Sequence, residues 1–400
     1  MKIKTAGNAY RINNQEQWEH PITLLVHDWE YVHWAAVGEQ IFSPELPFAY
    51  LGTSPWPGTR TNEETLPFAH PFSRKITKLL LDQGSYGMIV YALSEKTLRQ
   101  PGFAAFVRWM KERCPEAEAV LLKNAGQDLS GIKDELAAEE GLRLAVWQRE
   151  EEAEAFFRGI RQRVLGMAKP AFHDSLNREW AEWVNYSLSQ PLEDREKRIL
   201  LVGDSISAGY GSMVQELMPD WQVDRLNTSE GLHHPNLLRM LEIILEEYPY
   251  QLIHINNGIH IHGISAEEYG RKLEELFQWM EERYPSMKIL FAATTSASEK
   301  KGKTEEEHFE NSDFRLGDRA PVTVSEGEGA EYVYSPESSE AYIRLNEEAR
   351  KVCGRRGIPF NDLFSLCVSR DLPKTDEVHF REEGYAEIAK AVSDLITKCL

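Results

Sequence analysis

The sequence predicts an α/β protein in two regions: a doubly wound parallel sheet in the C-terminal half, preceded by a second, smaller α/β domain. Three observations carry this. Short apolar runs of strand length alternate with segments whose apolar residues recur at helical spacing. The runs are almost continuously hydrophobic, as strands buried on both faces are. A chain of 400 residues has the length of about two domains.

In the first region the strand-length runs are Ile22–His27 (ITLLVH), Met88–Leu93 (MIVYAL), Ala119–Lys123 (AVLLK) and Leu142–Trp147 (LRLAVW). Phe103–Arg113 and the stretch near Glu151–Met167 have helical periodicity. Residues 35–75 hold many Pro, Gly and Thr and read as a long irregular excursion. Asn177–Leu188, with Trp180 and Trp183 three apart, reads as a helix broken by Gln190-Pro191. Residues 171–196 are therefore expected to be a helical linker between a domain at 1–170 and one at 197–400.

The second region begins sharply with the buried strand Arg198–Val202 (RILLV). Strands follow at Leu252–Asn256 and Lys288–Ala293 and around Ile358–Phe360, with helices at Leu237–Glu247, Ala266–Arg283, Ser338–Arg356 and Gly384–Thr397. Residues 296–340, crowded with Glu, Ser, Gly and Lys, form an insertion that reads equally as a lid or as disorder. The two regions echo each other: Phe106–Pro115 (FVRWMKERCP) parallels Leu276–Pro285 (LFQWMEERYP), and LLVHDW parallels LLVGDS. The first region reads either as a degenerate copy of the second or as an α/β unit sharing only its helix-then-strand texture. On the copy reading it lacks the chemistry, because Trp29 stands where Ser205 would.

Composition narrows the function. With 45 Lys and Arg against 64 Asp and Glu, the net charge of −19 repels phosphate backbones and anionic lipid, which argues against nucleic acid and membrane as partners. A 42% hydrophobic content with ten Trp suits a chain that buries a core. No apolar run reaches the roughly 18 residues of a membrane span, and no apolar segment follows the basic start Met-Lys-Ile-Lys. Cys114, Cys353, Cys367 and Cys399 are scattered, as reduced thiols are, so a cytoplasmic location is expected.

The chemistry lies at the two ends of the second region. Gly203-Asp204-Ser205 follows a buried strand directly, placing a serine in the crevice where open α/β sheets bind ligands. A helix starting there would aim free N–H groups at an oxyanion. About 170 residues later comes Asp376-Glu-Val-His379. An aspartate three residues before a histidine can accept the imidazole Nδ1–H and leave Nε2 to take a proton from a serine.

From about Lys197 to Leu400 the chain resembles the SGNH, or GDSL-type, hydrolases, serine esterases and lipases on a flavodoxin-like fold. The first block matches at Gly203, Asp204 and Ser205, and the last at Asp376 and His379. The second block would be Asn227-Thr-Ser-Glu-Gly231, with the Gly231 N–H joining that of Ser205 in the oxyanion hole. The third block departs from the family's G-x-N-D: Asn256-Asn257-Gly258-Ile259-His260-Ile261 puts His260 at the asparagine position, so His260, or else Asn256 or Asn257, would complete the hole. The resemblance implies a catalytic triad of Ser205, His379 and Asp376, no cofactor and no metal. The substrate would be a small-molecule acyl ester, short-chain such as acetyl, of a carbohydrate or small alcohol. Trp221, Tyr210 and Tyr269 read either as a sugar-binding rim or as core.

Two other readings stand beside it. One is a non-catalytic binding protein, favoured by the altered third block. The other is a metal-dependent hydrolase, favoured by the histidines at 233, 234, 254, 260 and 262 and disfavoured by the absence of any HExxH spacing. The oligomeric state is left open.

Overall fold

A computed structural model describes residues 4–6, 9–13, 19–42, 46–53, 71–100, 102–128, 142–172, 181–190, 197–301 and 331–400. Among them, 13 strands form one mostly parallel sheet that runs through both regions. The first region contributes β1 (Lys4–Ala6), β2 (Ala9–Asn13), β3 (Ile22–His27), β4 (Phe48–Gly52), β5 (Tyr86–Ala92), β6 (Glu118–Asn124) and β7 (Leu142–Trp147). The second contributes β8 (Ala181–Gln190), β9 (Arg198–Gly203), β10 (Gln222–Thr228), β11 (Leu252–Ile255), β12 (Lys288–Ala292) and β15 (Phe360–Asn361). A separate hairpin-like pair joins β13 (Ser298–Lys300) to β14 (Tyr332–Tyr334). Most of the expected insertion, residues 302–330, lies outside the described residues.

The order across the sheet is β15-β12-β11-β9-β10-β8-β2-β4-β3-β5-β6-β7, and the thirteenth strand, β1, lies off this path, paired antiparallel with the end of β8. Reading outward from the centre, each half has a strand antiparallel to its neighbour (β8 or β2) and then five parallel strands in the same 2-1-3-4-5 order. The halves meet where β2 and β8 pair antiparallel, with Tyr10 opposite Val184 and Ile12 opposite Glu182.

The helix expected over Asn177–Leu188 is therefore wrong in its described part, and so is a helical linker there: Ala181–Gln190 is a central strand. The side chains alternate. Val184, Tyr186 and Leu188 enter one core, while Trp183, Asn185 and Ser187 are buried on the other side. The i,i+3 Trp spacing mimicked a helix, but the period of the whole segment is two. The expected irregular excursion at 35–75 also needs correction, since it contains most of α1 (His33–Phe42), all of β4 and the start of α2 (Pro71–Leu81). β4 is buried along its whole length and too short to stand out between prolines.

One face of the sheet carries a single continuous core. It is packed by α2, α4 (Phe103–Arg113), α7 (Pro235–Glu247), α8 (Ala266–Arg283) and α9 (Glu340–Arg356). The other face has two separate cores. Trp34, Phe42 and Phe157 belong to one, under α1 and α5 (Glu150–Leu165). Ile206, Val214, Ile388 and Val392 belong to the other, under α6 (Ser205–Leu217) and α11 (Glu382–Cys399). The short helices α3 (Glu95–Leu98) and α10 (Leu363–Ser369) complete the set.

Candidate active site

Strand β9 is buried at every position and ends at Gly203. A Cβ at Gly203 would stand 2.7 Å from Ser207 Oγ, so only glycine lets the chain turn this tightly into α6. Asp204 is the N-cap of α6, its Oδ1 accepting from the Ile206 N–H at 2.9 Å. Ser205 is thus the first residue of a 13-residue helix.

Helix α11 lies against α6. A Cβ at Gly209 would come within 2.3 Å of the Tyr385 ring, so the two helices approach closely at that point. This packing brings the turn before α11 to Ser205. Within the turn, Asp376 Oδ1 accepts from the backbone N–H of Val378 at 3.0 Å and of His379 at 2.7 Å. The ring of His379 joins the two ends: Nδ1 lies 2.9 Å from Asp376 Oδ2, and Nε2 lies 2.8 Å from Ser205 Oγ. With Nδ1–H donated to the carboxylate, Nε2 presents a lone pair to the serine hydroxyl. Burial alone would raise the Asp376 carboxyl, but the hydrogen bonds and charge of His379 and the two backbone donors hold it well below the usual carboxylate range.

The other anticipated residues lie on the loops after β10 and β11, the two strands flanking β9. A Cβ at Gly231 would stand 2.6 Å from the His260 carbonyl oxygen, so the two loops touch and Gly231 has no room for a side chain. His260 packs edge-on to Trp183 of β8, with ring centroids 5.9 Å apart. Asn256 donates its amide to the Ala292 carbonyl at 3.0 Å. Asn257 clamps the Gly231 loop, accepting from Leu232 N–H at 2.9 Å and donating to the Glu230 carbonyl at 3.0 Å. Tyr210 and Tyr269 are each 1% exposed and belong to the cores, which removes them from any sugar-binding rim; Trp221 is half-buried against the core of α6.

Lys374, absent from the sequence reading, also belongs to this turn. It is buried, its ammonium donates to the Ser296 carbonyl, and it sits 4.5 Å from the centre of the Phe380 ring. Burial pushes it down to about 8, against the pull of Cys367 and Asp376. A lysine two residues before an aspartate carries no sequence signal of burial; only the tertiary packing shows it.

The histidines do not converge on one centre. His254 is fully buried in β11 with Asn361 Nδ2 3.4 Å from its Nε2, and burial pushes it down to about 4. His234 caps α7, with Nδ1 2.7 Å from Glu230. Among the described residues, the one trio of possible metal ligands is Glu182, Glu230 and His234, which holds a single histidine. No helix of the described residues is long and apolar enough to cross a membrane.

No protein-family model matches the chain, and no curated protein matches it. Solved structures resemble about half of it. The acetyl xylan esterase AlAXEase matches 50% of this chain and 99% of its own, at 15% identity and a TM-score of 0.37. An acetylxylan esterase from Geobacillus stearothermophilus matches 49% of this chain and 92% of its own, at 14% identity and a TM-score of 0.34. An alpha/beta hydrolase enzyme from the metagenome of Lake Arreo matches 51% and 96%, at 13% identity and a TM-score of 0.36. These are likenesses of fold at low identity, and any statement about chemistry rests on the side chains.

Proposed function

We propose that the chain is a serine esterase that hydrolyses a short-chain acyl ester, such as an acetyl ester of a carbohydrate or small alcohol. The observation that carries this reading is the continuous Asp376–His379–Ser205 hydrogen-bond chain, at 2.9 and 2.8 Å. His379 Nε2 takes the Ser205 proton as Oγ attacks the acyl carbonyl, and Asp376 stabilises the imidazolium that forms. The proton then goes to the leaving alcohol, giving an acyl-serine. Water attacks that ester with His379 again as base, and the acid leaves.

The tetrahedral oxyanion is held by the N–H groups of Ser205, at the positive end of α6, and of Gly231. A third donor comes from the loop after β11. His260 supplies it through a ring N–H; Asn256 is the alternative, with one of its amide hydrogens already engaged by Ala292. The acetyl preference follows from the resemblance of the histidine-bearing third block to acetyl-esterase types.

The test treats wild type and Ser205→Ala with a fluorophosphonate probe and assays both with a short-chain chromogenic ester. Labelling and hydrolysis in wild type, both lost in the variant, are expected. A wild-type chain that is folded but neither labels nor hydrolyses sinks the esterase reading and leaves a binding protein on the same fold.

A further inference from the structure

On the sheet face with two separate cores, a strip of buried polar side chains runs between them. Arg225 and Asn227 of β10 alternate onto this face, and across the antiparallel ladder they stand opposite Ser187 and Asn185 of β8. Residues paired in this way have Cβ atoms about 5 Å apart. Arg225 is 5% exposed, and Ser187 and Asn227 are 1% exposed. The stem of Arg225 runs beneath α6 at Gly211, where a Cβ would stand 2.6 Å from Arg225 Cδ.

Among the described residues, no hydrogen-bond partner stands within reach of Arg225 Nε or Nη1, of the Ser187 hydroxyl, or of Asn227 Nδ2. Asn227 Oδ1 already accepts from Ser207 Oγ, which leaves the Nδ2 hydrogens of this amide as its unsatisfied groups. The neighbouring acid, Asp224, projects to the opposite face, where it binds Arg198 Nη1 at 2.7 Å and Tyr250 at 2.8 Å. Burial pushes the Arg225 guanidinium down to about 10, with Asp224 opposing, so it stays charged at neutral pH.

The same strip contains a second buried arginine with a different fate. Arg11 of β2 is 1% exposed, and its Nη2 donates to Glu39 of α1 at 3.0 Å. A buried charge left unpaired costs several kcal/mol. Among the described residues a carboxylate meets Arg11 and none meets Arg225.

We propose that Arg225, Ser187 and Asn227 form a binding site for one small oxyanion, a carboxylate or an inorganic phosphate or sulfate. The groups left to bind offer N–H and O–H donors around a fixed positive charge, which selects an anion. The planar guanidinium fork matches two oxygens of one group. Within the site Asn227 is in register with Gly203 at the end of β9, and Arg225 lies two residues further back along β10. Ser207 links it to the turn at Ser205, since its hydroxyl stands within hydrogen-bond reach of both Asn227 Oδ1 and the Asp204 carbonyl. Anion binding does not depend on Ser205 being catalytic.

The test uses the full chain in chloride buffer at constant ionic strength. Acetate, phosphate and sulfate are titrated separately, with the thermal midpoint and calorimetric heat as readouts. At least one oxyanion is expected to raise the midpoint saturably with one site per chain, and the three arms identify which. Arg225→Leu abolishes the response and Ser187→Ala weakens binding about tenfold. Asn227→Asp, which sets a negative charge in the site, also removes the response and serves if Arg225→Leu does not fold. A wild-type midpoint that responds to the oxyanions no more than to chloride overturns the proposal. So does a response that survives in Arg225→Leu or Asn227→Asp.

Discussion

The two halves of the sheet are built to one plan and differ at its carboxyl edge. Each places five parallel strands in the order 2-1-3-4-5 beside an antiparallel strand, and the equivalent positions share residues. Tyr10-Arg11-Ile12 on β2 occupies the register of Tyr186-Ser187-Leu188 on β8, and Leu51-Gly52-Thr53 stands to His27 as Leu226-Asn227-Thr228 stands to Gly203. An aspartate follows each first strand directly, Asp28 after β3 and Asp204 after β9. Asp204 caps the helix that begins with Ser205. Asp28 instead ties β3 to the turn after β5, with Oδ2 accepting from Ser94 N–H at 2.7 Å and Thr97 Oγ1 at 2.6 Å. The fifth strand of the second half leads on to Asp376 and His379, while that of the first leads to a helix opening with Glu150, Glu151 and Glu152. Scaffold and chemistry are thus separable within one molecule, as they are between families.

The largest expected effect tests that separation directly. Asp376→Asn leaves the turn nearly isosteric but offers His379 the wrong partner, and ester turnover should fall about 10⁴-fold. Asp28→Asn, at the matching place in the first half, should leave turnover per folded molecule unchanged and lower stability by about 1–3 kcal/mol. Equal losses of turnover in both would erase the distinction. The depressed Asp376 carboxyl adds a pH signature. Its stabilisation is fully present above the ordinary carboxylate value of about 4 and is lost as pH falls through its lowered value. The stability gap between wild type and Asp376→Asn should therefore shrink in acid, which denaturant titrations at neutral and low pH would read.

Next in size are the buried ion pairs. Arg198 and Asp224 are both fully buried and 2.7 Å apart, whereas Arg11 meets Glu39 with the glutamate 18% exposed. Removing one partner of the fully buried pair strands a charge, so Asp224→Asn should cost about 3–5 kcal/mol. Glu39→Gln keeps an acceptor and some water access, and should cost clearly less in the same urea titration. A third pair of variants compares glycines. Gly231→Ala forces a methyl against the His260 carbonyl and, on the proposed oxyanion role of the Gly231 N–H, should reduce turnover about 10²-fold. Gly38→Ala meets the Phe48 ring at 2.1 Å, and should cost about 1–3 kcal/mol of stability with turnover intact.

What the sequence made legible follows from range. Ser205, Asp376 and His379 were readable because each motif is local: a strand running into a serine, and an aspartate three residues from a histidine. The strands β3, β5 and β9 are readable because burial on both faces makes them uniformly apolar; β6 is buried only at its centre, and β7 is an apolar edge strand with Leu144 and Val146 exposed. β8 is not readable, because one of its faces carries the polar Asn185 and Ser187, whose burial comes only from tertiary packing at the middle of the sheet. Nothing in the sequence marks Arg225 or Lys374 as buried, since burial of a basic side chain is a property of its neighbours. The two-domain division was drawn at a polar stretch, yet the seam is a hydrogen-bonded ladder that local composition could not reveal.

That ladder leads to the smallest and most discriminating prediction. Between the halves, Gln83 and Asn236 exchange amide hydrogen bonds at 2.9 Å in both directions, and Lys75 meets Glu247 at 3.2 Å on the surface. The exposed pair should contribute at most about 1 kcal/mol, so Lys75→Ala should be nearly silent. Gln83→Ala leaves the buried Asn236 short of a partner and should cost about 1–2 kcal/mol. The informative quantity is the shape of the transition. Because β2 pairs with β8 and one core runs beneath both halves, the loss should move a single cooperative unfolding transition to lower urea with unchanged slope. A transition that instead splits into two, with one half unfolding before the other, would mean that the ladder joins two independent folding units. The shared plan of the halves would then extend to their stability as well as their topology.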